Sequence, residues 1–203
     1  MKKALLSSTY FGPVQWYQKL YRYPEVLIEL HDSYQKQTYR NRCLIAAANG
    51  VQSLTVPVTV EKDGYGERIL ISDHGNWRHQ HWQALQSAYG DSPFFIYYED
   101  DLRPFFTERW TLLYDFNEAL RLKMCELLDI QPAVSFTKSY EKSENLDETD
   151  DFRHSIRPKH PAEDPGFLPS PYYQVYQLRH GFLPNLSILD LLMNMGPESI
   201  FYL

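Results

Sequence analysis

The first thirty residues constrain the fold more than any other part of the chain. Residues 4–8 and 25–30 are short apolar runs that read as strands. Between them lie a turn, Thr9-Tyr10-Phe11-Gly12-Pro13, and a segment over 14–21 with Val14, Tyr17 and Leu20 or Tyr21 on one helical face. Pro13 suits the opening of that helix, because its missing N–H is one a helix leaves unpaired anyway, and Pro24 stops it. Strand, helix and strand in so short a span point to a βαβ unit with parallel strands. The chain is therefore predicted to be α/β, with a βαβ start, a central mixed sheet flanked by helices, and a β-hairpin around Asn49-Gly50.

The rest of the chain extends that plan. A third strand is predicted over 43–48. Asn49-Gly50 then forms a two-residue turn, because both positions tolerate positive φ. Residues 53–60 answer as the partner strand, with Pro57 marking an edge or a bulge. A loop over 62–67 and a short strand over 69–72 follow. Asn76 can cap a helix over 77–89, and the aromatic run 94–98 reads as a short helix. The longest helix is expected over 108–128, with Leu113, Phe116, Leu120, Met124 and Leu127 as its apolar stripe. Strands over 133–137 and 172–178 and a last helix over 186–195 complete the prediction. Residues 138–169 are charged and Pro-containing and read as a long surface loop or a partly disordered segment. The whole chain, 1–203, is expected to be one domain.

Composition bounds the function classes. A net charge of −6 argues against non-specific nucleic-acid binding, which needs a basic face. No run approaches the ~18 apolar residues of a membrane span. The opening Met1-Lys2-Lys3 is followed by too short an apolar run for a secretory signal. Cys43 and Cys125 lie in apolar contexts without a paired spacing and read as reduced core residues, which suits the cytoplasm, although spacing leaves a disulfide open.

The richest polar stretch is 29–42, which holds Glu29, His31, Asp32, Tyr34, Gln35, Lys36, Tyr39, Arg40, Asn41 and Arg42. It would sit at the carboxyl end of the second strand, beside the 9–13 turn at the end of the first, where α/β sheets bind ligands. Arginine forks recognise carboxylate and phosphate in a plane, and lysine adds a mobile charge. Lys36, Arg40 and Arg42 are thus candidates for holding an anion. Alternation along a strand would turn Arg40 and Arg42 to one face. Tyr10 could stack on a base or sugar, or simply seat the first helix on the sheet. His74, His79 and His81 cluster in sequence, but two-residue spacing on a helix divides their faces, so no metal is expected. No Gly-x-Gly-x-x-Gly, Walker or Gly-x-Ser-x-Gly pattern is present, and no cofactor is expected.

Several blocks in order resemble the WbqC-like family of bacterial proteins. They run from Ser8-Thr9-Tyr10-Phe11-Gly12-Pro13-Val14-Gln15-Trp16-Tyr17 through Tyr34-Gln35-Lys36-Gln37-Thr38-Tyr39-Arg40-Asn41-Arg42 to Leu54-Thr55-Val56-Pro57-Val58. Trp77-Arg78 with His81-Trp82, Ala88-Tyr89-Gly90 and Gly181-Phe182-Leu183-Pro184-Asn185-Leu186-Ser187 continue the likeness. It covers nearly the whole chain apart from 138–171. The resemblance implies work on a nucleotide-linked or lipid-linked sugar in surface-polysaccharide (O-antigen) biosynthesis, and it supplies no agreed catalytic residue. The chain departs from its relatives where the charged 138–169 stretch replaces a Gly-containing segment, and where Ser8-Thr9 stands for their Gln-Pro.

The resulting expectation is a protein that binds, or transfers a group on, a nucleotide-linked sugar or similar anionic metabolite. Its substrate-binding residues would be Tyr10, Lys36, Tyr39, Arg40, Asn41 and Arg42, with His81 and Asn185 further out. No nucleophile stands out, so transferase chemistry stays open. So does the alternative of a non-catalytic binding or scaffold module of a polysaccharide-assembly complex, with a protein partner docked through 138–169.

Overall fold

The computed structural model describes residues 2–63, 66–142 and 148–203. It begins as the sequence predicts, with β1 (Lys3–Ser7), α1 (Val14–Arg22) and β2 (Val26–Glu29). β1 and β2 pair in parallel, Ala4 opposite Val26 and Ser7 opposite Glu29. The Asn49-Gly50 turn joins β3 (Arg42–Ala47) to β4 (Gly50–Thr55) in an antiparallel hairpin, and Gly50 takes the positive φ such a turn needs.

The partner strand does not run through to residue 60. It ends at Thr55, where the backbone N–H of Val56 turns to the carbonyl of Asn41 and Pro57 has no N–H to offer a ladder. The chain then starts a second hairpin, β5 (Val58–Asp63) with β6 (Gly66–Ile71), across the stretch expected to be a loop. Gly64 and Tyr65, at the centre of that loop, lie outside the described residues.

Five helices follow or intervene: α2 (Trp77–Tyr89), α3 (Phe95–Leu102), α4 (Pro104–Thr107) and α5 (Leu113–Leu127), then α6 (Gln177–His180) near the end. α5 is shorter than expected, because Leu112 instead bridges to Leu70 of β6 in extended conformation. The predicted strand over 172–178 is irregular chain leading into α6; Tyr172 and Gln174 turn inward to a buried carboxylate instead of alternating.

Before α6 come β7 (Val134–Phe136) and β8 (Thr149–Asp151). β7 joins β2 and β8 joins β1, both in parallel, so the central sheet has the order β7-β2-β1-β8. That sheet is parallel throughout rather than mixed, and the antiparallel pairs stand apart as hairpins. β8 falls inside the stretch read as a surface loop; residues 143–147 of that stretch lie outside the described residues.

α7 (Ile188–Met195) and a terminal 3₁₀ helix (Gly196–Tyr202) pack on the core. The approach to α7 crosses the first turn. Val14 N–H donates to the Leu186 carbonyl (2.9 Å), Ile188 N–H to Gly12 (2.9 Å) and Ser187 Oγ to Phe11 (2.9 Å). This covering explains why residues 14–20 of α1 are all buried, with Gln15, Gln18 and Lys19 among them. Lys19 is compensated by Asp164 at 2.6 Å. Gly12 is required where the turn closes, since a Cβ there would lie 2.5 Å from Thr9 Oγ1.

Candidate functional site

The parallel sheet aims the carboxyl ends of β1, β2, β7 and β8 at one place. β1 delivers Ser8 and Thr9, β2 delivers Glu29 and the chain to Asp32, β7 delivers Thr137, and β8 delivers Asp151 and Arg153. A cleft there is lined by Thr9, Asp32, Thr38, Tyr39, Arg40 and Arg153, with Gln35 and His154 towards its mouth. Its closed interior measures only about 20 Å³, room for one water or one hydroxyl group.

Two charge networks reach the cleft, one through Arg153 and one through Asp32 and Arg40, and they differ in completeness. Glu29 is wholly buried and fully used. Oε1 accepts from His31 N–H and Thr137 Oγ1, each at 2.8 Å, and Oε2 from Glu141 N–H and Arg153 Nη1, each at 3.0 Å. Arg153 also grips Asp151 with Nε (3.0 Å) and Nη2 (2.7 Å), and caps the Glu141 carbonyl with Nη1 (2.7 Å). Burial is the largest single effect on the Asp151 carboxyl and raises it, but the Arg153 side chain and backbone N–H together outweigh it and hold the group below the usual carboxylate range. Burial of the Glu29–Arg153 pair is tolerable because each Glu29 oxygen accepts two hydrogen bonds.

The second network is incomplete. Arg40 Nη2 pairs with Asp32 Oδ2 and Nη1 donates to the Ser33 carbonyl at 3.1 Å. Yet Arg40 Nε, Asp32 Oδ1 and Thr9 Oγ1 have no hydrogen-bond partner, although all three residues are more than nine-tenths buried. Burial pushes the Asp32 carboxyl up, with Arg40 pulling it back. All three residues line the cleft, and a buried polar group without a partner costs stability.

The residues expected from sequence divide around this cleft. Tyr39 and Arg40 line it. Burial pushes the Tyr39 hydroxyl up to about 12. Lys36 is exposed and has no partner among the described residues. Arg42 lies on β3 and donates from Nε to Thr55 Oγ1 at 3.1 Å, so it does not share a pocket with Arg40. Asn41 is buried and gives Nδ2 to the Val56 carbonyl at 2.8 Å. Asn185 stays with α1, accepting from Gln15 N–H (2.9 Å) and donating to Gln15 Oε1 (3.0 Å).

Tyr10 offers no face to a ligand. It is fully buried, stacked on Phe116 with centroids 5.8 Å apart, and its hydroxyl meets His81 Nδ1 at 2.9 Å. Burial drives His81 down to about 4, so the ring is neutral at pH 7 and serves the core. Sequence reasoning did not find Arg153 and His154, and it read the acidic run 147–151, with Asp151, as facing solvent. The signal was positional: they follow a strand of the parallel sheet, and recognition of β8 would have placed them at its carboxyl end.

Among the described residues no three His, Cys, Asp or Glu side chains are grouped to hold a metal ion. Cys43 and Cys125 are both free and buried. No helix of the described residues is long and apolar enough to cross a membrane.

Comparison with known proteins agrees with the blocks quoted above and extends them. An uncharacterized protein of Mycobacterium tuberculosis (strain ATCC 25618 / H37Rv), Rv1507c, is 30% identical over 233 residues, covering 100% of this chain and 98% of that protein. No solved structure matches. The model of the WbqC-like protein family matches residues 8–157 and 166–202. That match runs without a break through β8 and Arg153, so most of the stretch first set outside the likeness belongs inside it. The chain is a member of the WbqC-like protein family.

Proposed function

We propose that the sheet-end cleft binds a nucleotide-linked sugar or similar anionic, hydroxyl-bearing metabolite, and that the protein acts on it in surface-polysaccharide biosynthesis. The observation that carries this reading is the orphaned trio of Thr9 Oγ1, Asp32 Oδ1 and Arg40 Nε. A carboxylate oxygen accepts, a guanidinium N–H donates, and a threonine hydroxyl does either. Together they complement one sugar hydroxyl, which both donates and accepts, and the interior admits a group of that size.

The charge of the ligand would lie at the mouth. Inside, Arg40 and Arg153 are already committed to carboxylates. Outside, Arg157 reaches Gln35 Oε1 (3.3 Å) and His154 Nδ1 (2.6 Å) and has no carboxylate partner among the described residues. Lys36 stands free nearby in sequence. These are the groups that would meet a phosphate. On this reading Asp32 Oδ1 would take a proton from a bound hydroxyl, and the upward push of burial on its carboxyl supports that role.

The test is a thermal-shift and calorimetric screen of nucleotide sugars and sugar phosphates against wild type and Thr9→Val. A ligand at a hundredfold excess over Kd stabilises by about 2.7 kcal/mol, a rise of roughly 5–10 °C in Tm for a chain of this size. That rise is expected in wild type and largely lost in Thr9→Val. If no compound of either class binds wild type, the reading fails and the non-catalytic scaffold reading takes its place.

A further inference from the structure

A second concavity, of about 420 Å³, opens between the start of α2 and the α4 region, and the proposed sugar reading makes no use of it. Asp73, Asn76, Arg78, His79, Trp82, Arg103, Phe106, Thr107 and Arg109 form its wall. Its size falls within the range of small-molecule sites.

Its charge is the opposite of the molecule's. The chain as a whole carries −6, yet this bowl gathers three arginines against one carboxylate. Asp73 is shared between two of them, Oδ1 with Arg78 Nη1 at 2.6 Å and Oδ2 with Arg109 Nη1 at 3.6 Å. One carboxylate thus holds two guanidiniums side by side without neutralising both. Arg78 retains a buried Nε with no partner, and Arg103 is exposed with no side-chain partner among the described residues. Arg78 is also held in place by the Trp77 ring, 4.6 Å from its guanidinium carbon.

The rest of the wall suits the same kind of ligand. No side chain caps the start of α2, so the helix end adds its N–H groups to the positive field. Trp82 and Phe106 pack with centroids 5.5 Å apart and supply an apolar side, and the Trp82 indole N–H has no partner among the described residues. Clefts lined by one sign of charge concentrate counter-charged ligands, and arginine forks match phosphate oxygens in pairs.

We infer that this bowl is a second binding site, for a phosphorylated small molecule of nucleotide size, with Arg78, Arg103 and Arg109 as the phosphate-holding groups. The site is independent of the sheet-end cleft, and its test separates the two. Inorganic pyrophosphate and UDP are titrated by calorimetry into wild type, Arg103→Ala/Arg109→Ala, Asp73→Asn and Thr9→Val. Arg103 and Arg109 are exposed, so the double variant is expected to keep its fold, checked by circular dichroism.

Wild type is expected to bind both probes, more weakly as salt rises. The double variant should lose about tenfold or more, because two charge-assisted contacts go. Asp73→Asn should bind tighter than wild type, because the competing carboxylate is gone. Thr9→Val should bind pyrophosphate, which has no sugar hydroxyl for the sheet-end cleft, as wild type does. The inference is overturned if neither probe binds wild type at millimolar concentration, or if a folded double variant binds as wild type does. It is also overturned if Thr9→Val abolishes binding, which would move the probes to the sheet-end cleft.

Discussion

Two buried carboxylates in this molecule have opposite fates. Asp190, on α7, is wholly buried and has no cation beside it. Its oxygens are saturated instead: Oδ1 accepts from Tyr89 Oη at 3.0 Å, and Oδ2 from Tyr172 Oη at 2.8 Å and Gln174 Nε2 at 2.7 Å. Asp32, at the sheet end, has a guanidinium beside it and still leaves one oxygen unused. The lesson is that charge and burial do not separate scaffold from site here. Between these two carboxylates the difference is completeness of hydrogen bonding. The Asp190 cluster ties α2, the 172–174 chain and α7 together through both carboxylate oxygens, whereas the Asp32 cluster leaves Oδ1 without a partner among the described residues.

The hardest test of that contrast is Asp190→Ala. It strands the Tyr89 and Tyr172 hydroxyls in the core and takes one of two acceptors from Gln174 Nε2, at a cost of about 3 kcal/mol or more in urea denaturation. Ligand binding by the folded protein should not change. A loss below ~1 kcal/mol would remove the basis for calling the cluster structural.

The same pair of regions predicts an unusual dependence on pH. Burial raises Asp190 from 3.8 to about 6, with its three donors opposing. A raised carboxyl pKa means that the folded state holds the proton more tightly. The stability it gives is present below the unfolded value and lost as pH rises through about 6. His81 runs the other way. Burial lowers it from 6.5 to about 4, so its contribution is present above 6.5 and lost as pH falls towards 4. Each shift is worth up to about 3 kcal/mol. The contributions of these two groups nearly cancel between pH 4 and 6, so neither is visible in the wild-type curve. His81→Gln removes one side of the balance, and its stability should fall by about 2–3 kcal/mol as pH rises across that window. A flat curve for His81→Gln would show that Asp190 titrates normally.

Thr9→Val and Tyr172→Phe sharpen the contrast at smaller scale. Both delete one buried hydroxyl. Tyr172→Phe breaks a made bond and should cost about 1–2 kcal/mol. Thr9→Val removes an orphan and should be neutral or stabilising by up to about 1 kcal/mol, while weakening the ligand. Equal losses in the two variants would mean that Thr9 Oγ1 is as well satisfied as Tyr172 Oη.

These outcomes bear on why only part of the molecule could be read from its sequence. β1, α1 and β2 were legible because apolar spacing changes period at Pro13 and again at Pro24, and neither change depends on distant chain. β8 was not legible. Thr149-Asp150-Asp151 has no apolar alternation, and what seats it is charge: Tyr23 Oη on Asp150 at 2.7 Å and Arg153 on Asp151. The Glu29–Arg153 pair spans 124 positions, which no local spacing reveals. Within 29–42 the density of polar groups did mark the site, but their assignment followed alternation alone. Arg40 is drawn instead to Asp32, eight residues back, and Tyr10 to the core, where Phe116 and His81 take the faces a ligand would have used.

Arg42 carries the smallest effect and decides the most about that reading. On alternation it belongs beside Arg40; in the fold it lies on β3 and reaches Thr55 across the hairpin at 3.1 Å. Arg42→Ala should therefore cost only about 0.5 kcal/mol, the scale of a partly exposed cross-strand contact. It should leave binding at the sheet-end cleft within about twofold of wild type, since no contact joins it to Thr9, Asp32 or Arg40. Asp32→Asn keeps the size of the side chain and changes the group that faces the orphaned atoms, so it should weaken the same ligand by about tenfold or more. If the two variants lose affinity alike, the ligand spans both arginines and the site extends along β3; if only Asp32→Asn does, binding belongs to the carboxyl end of the sheet and the alternation that paired Arg40 with Arg42 described a strand that starts two residues too late to hold them both.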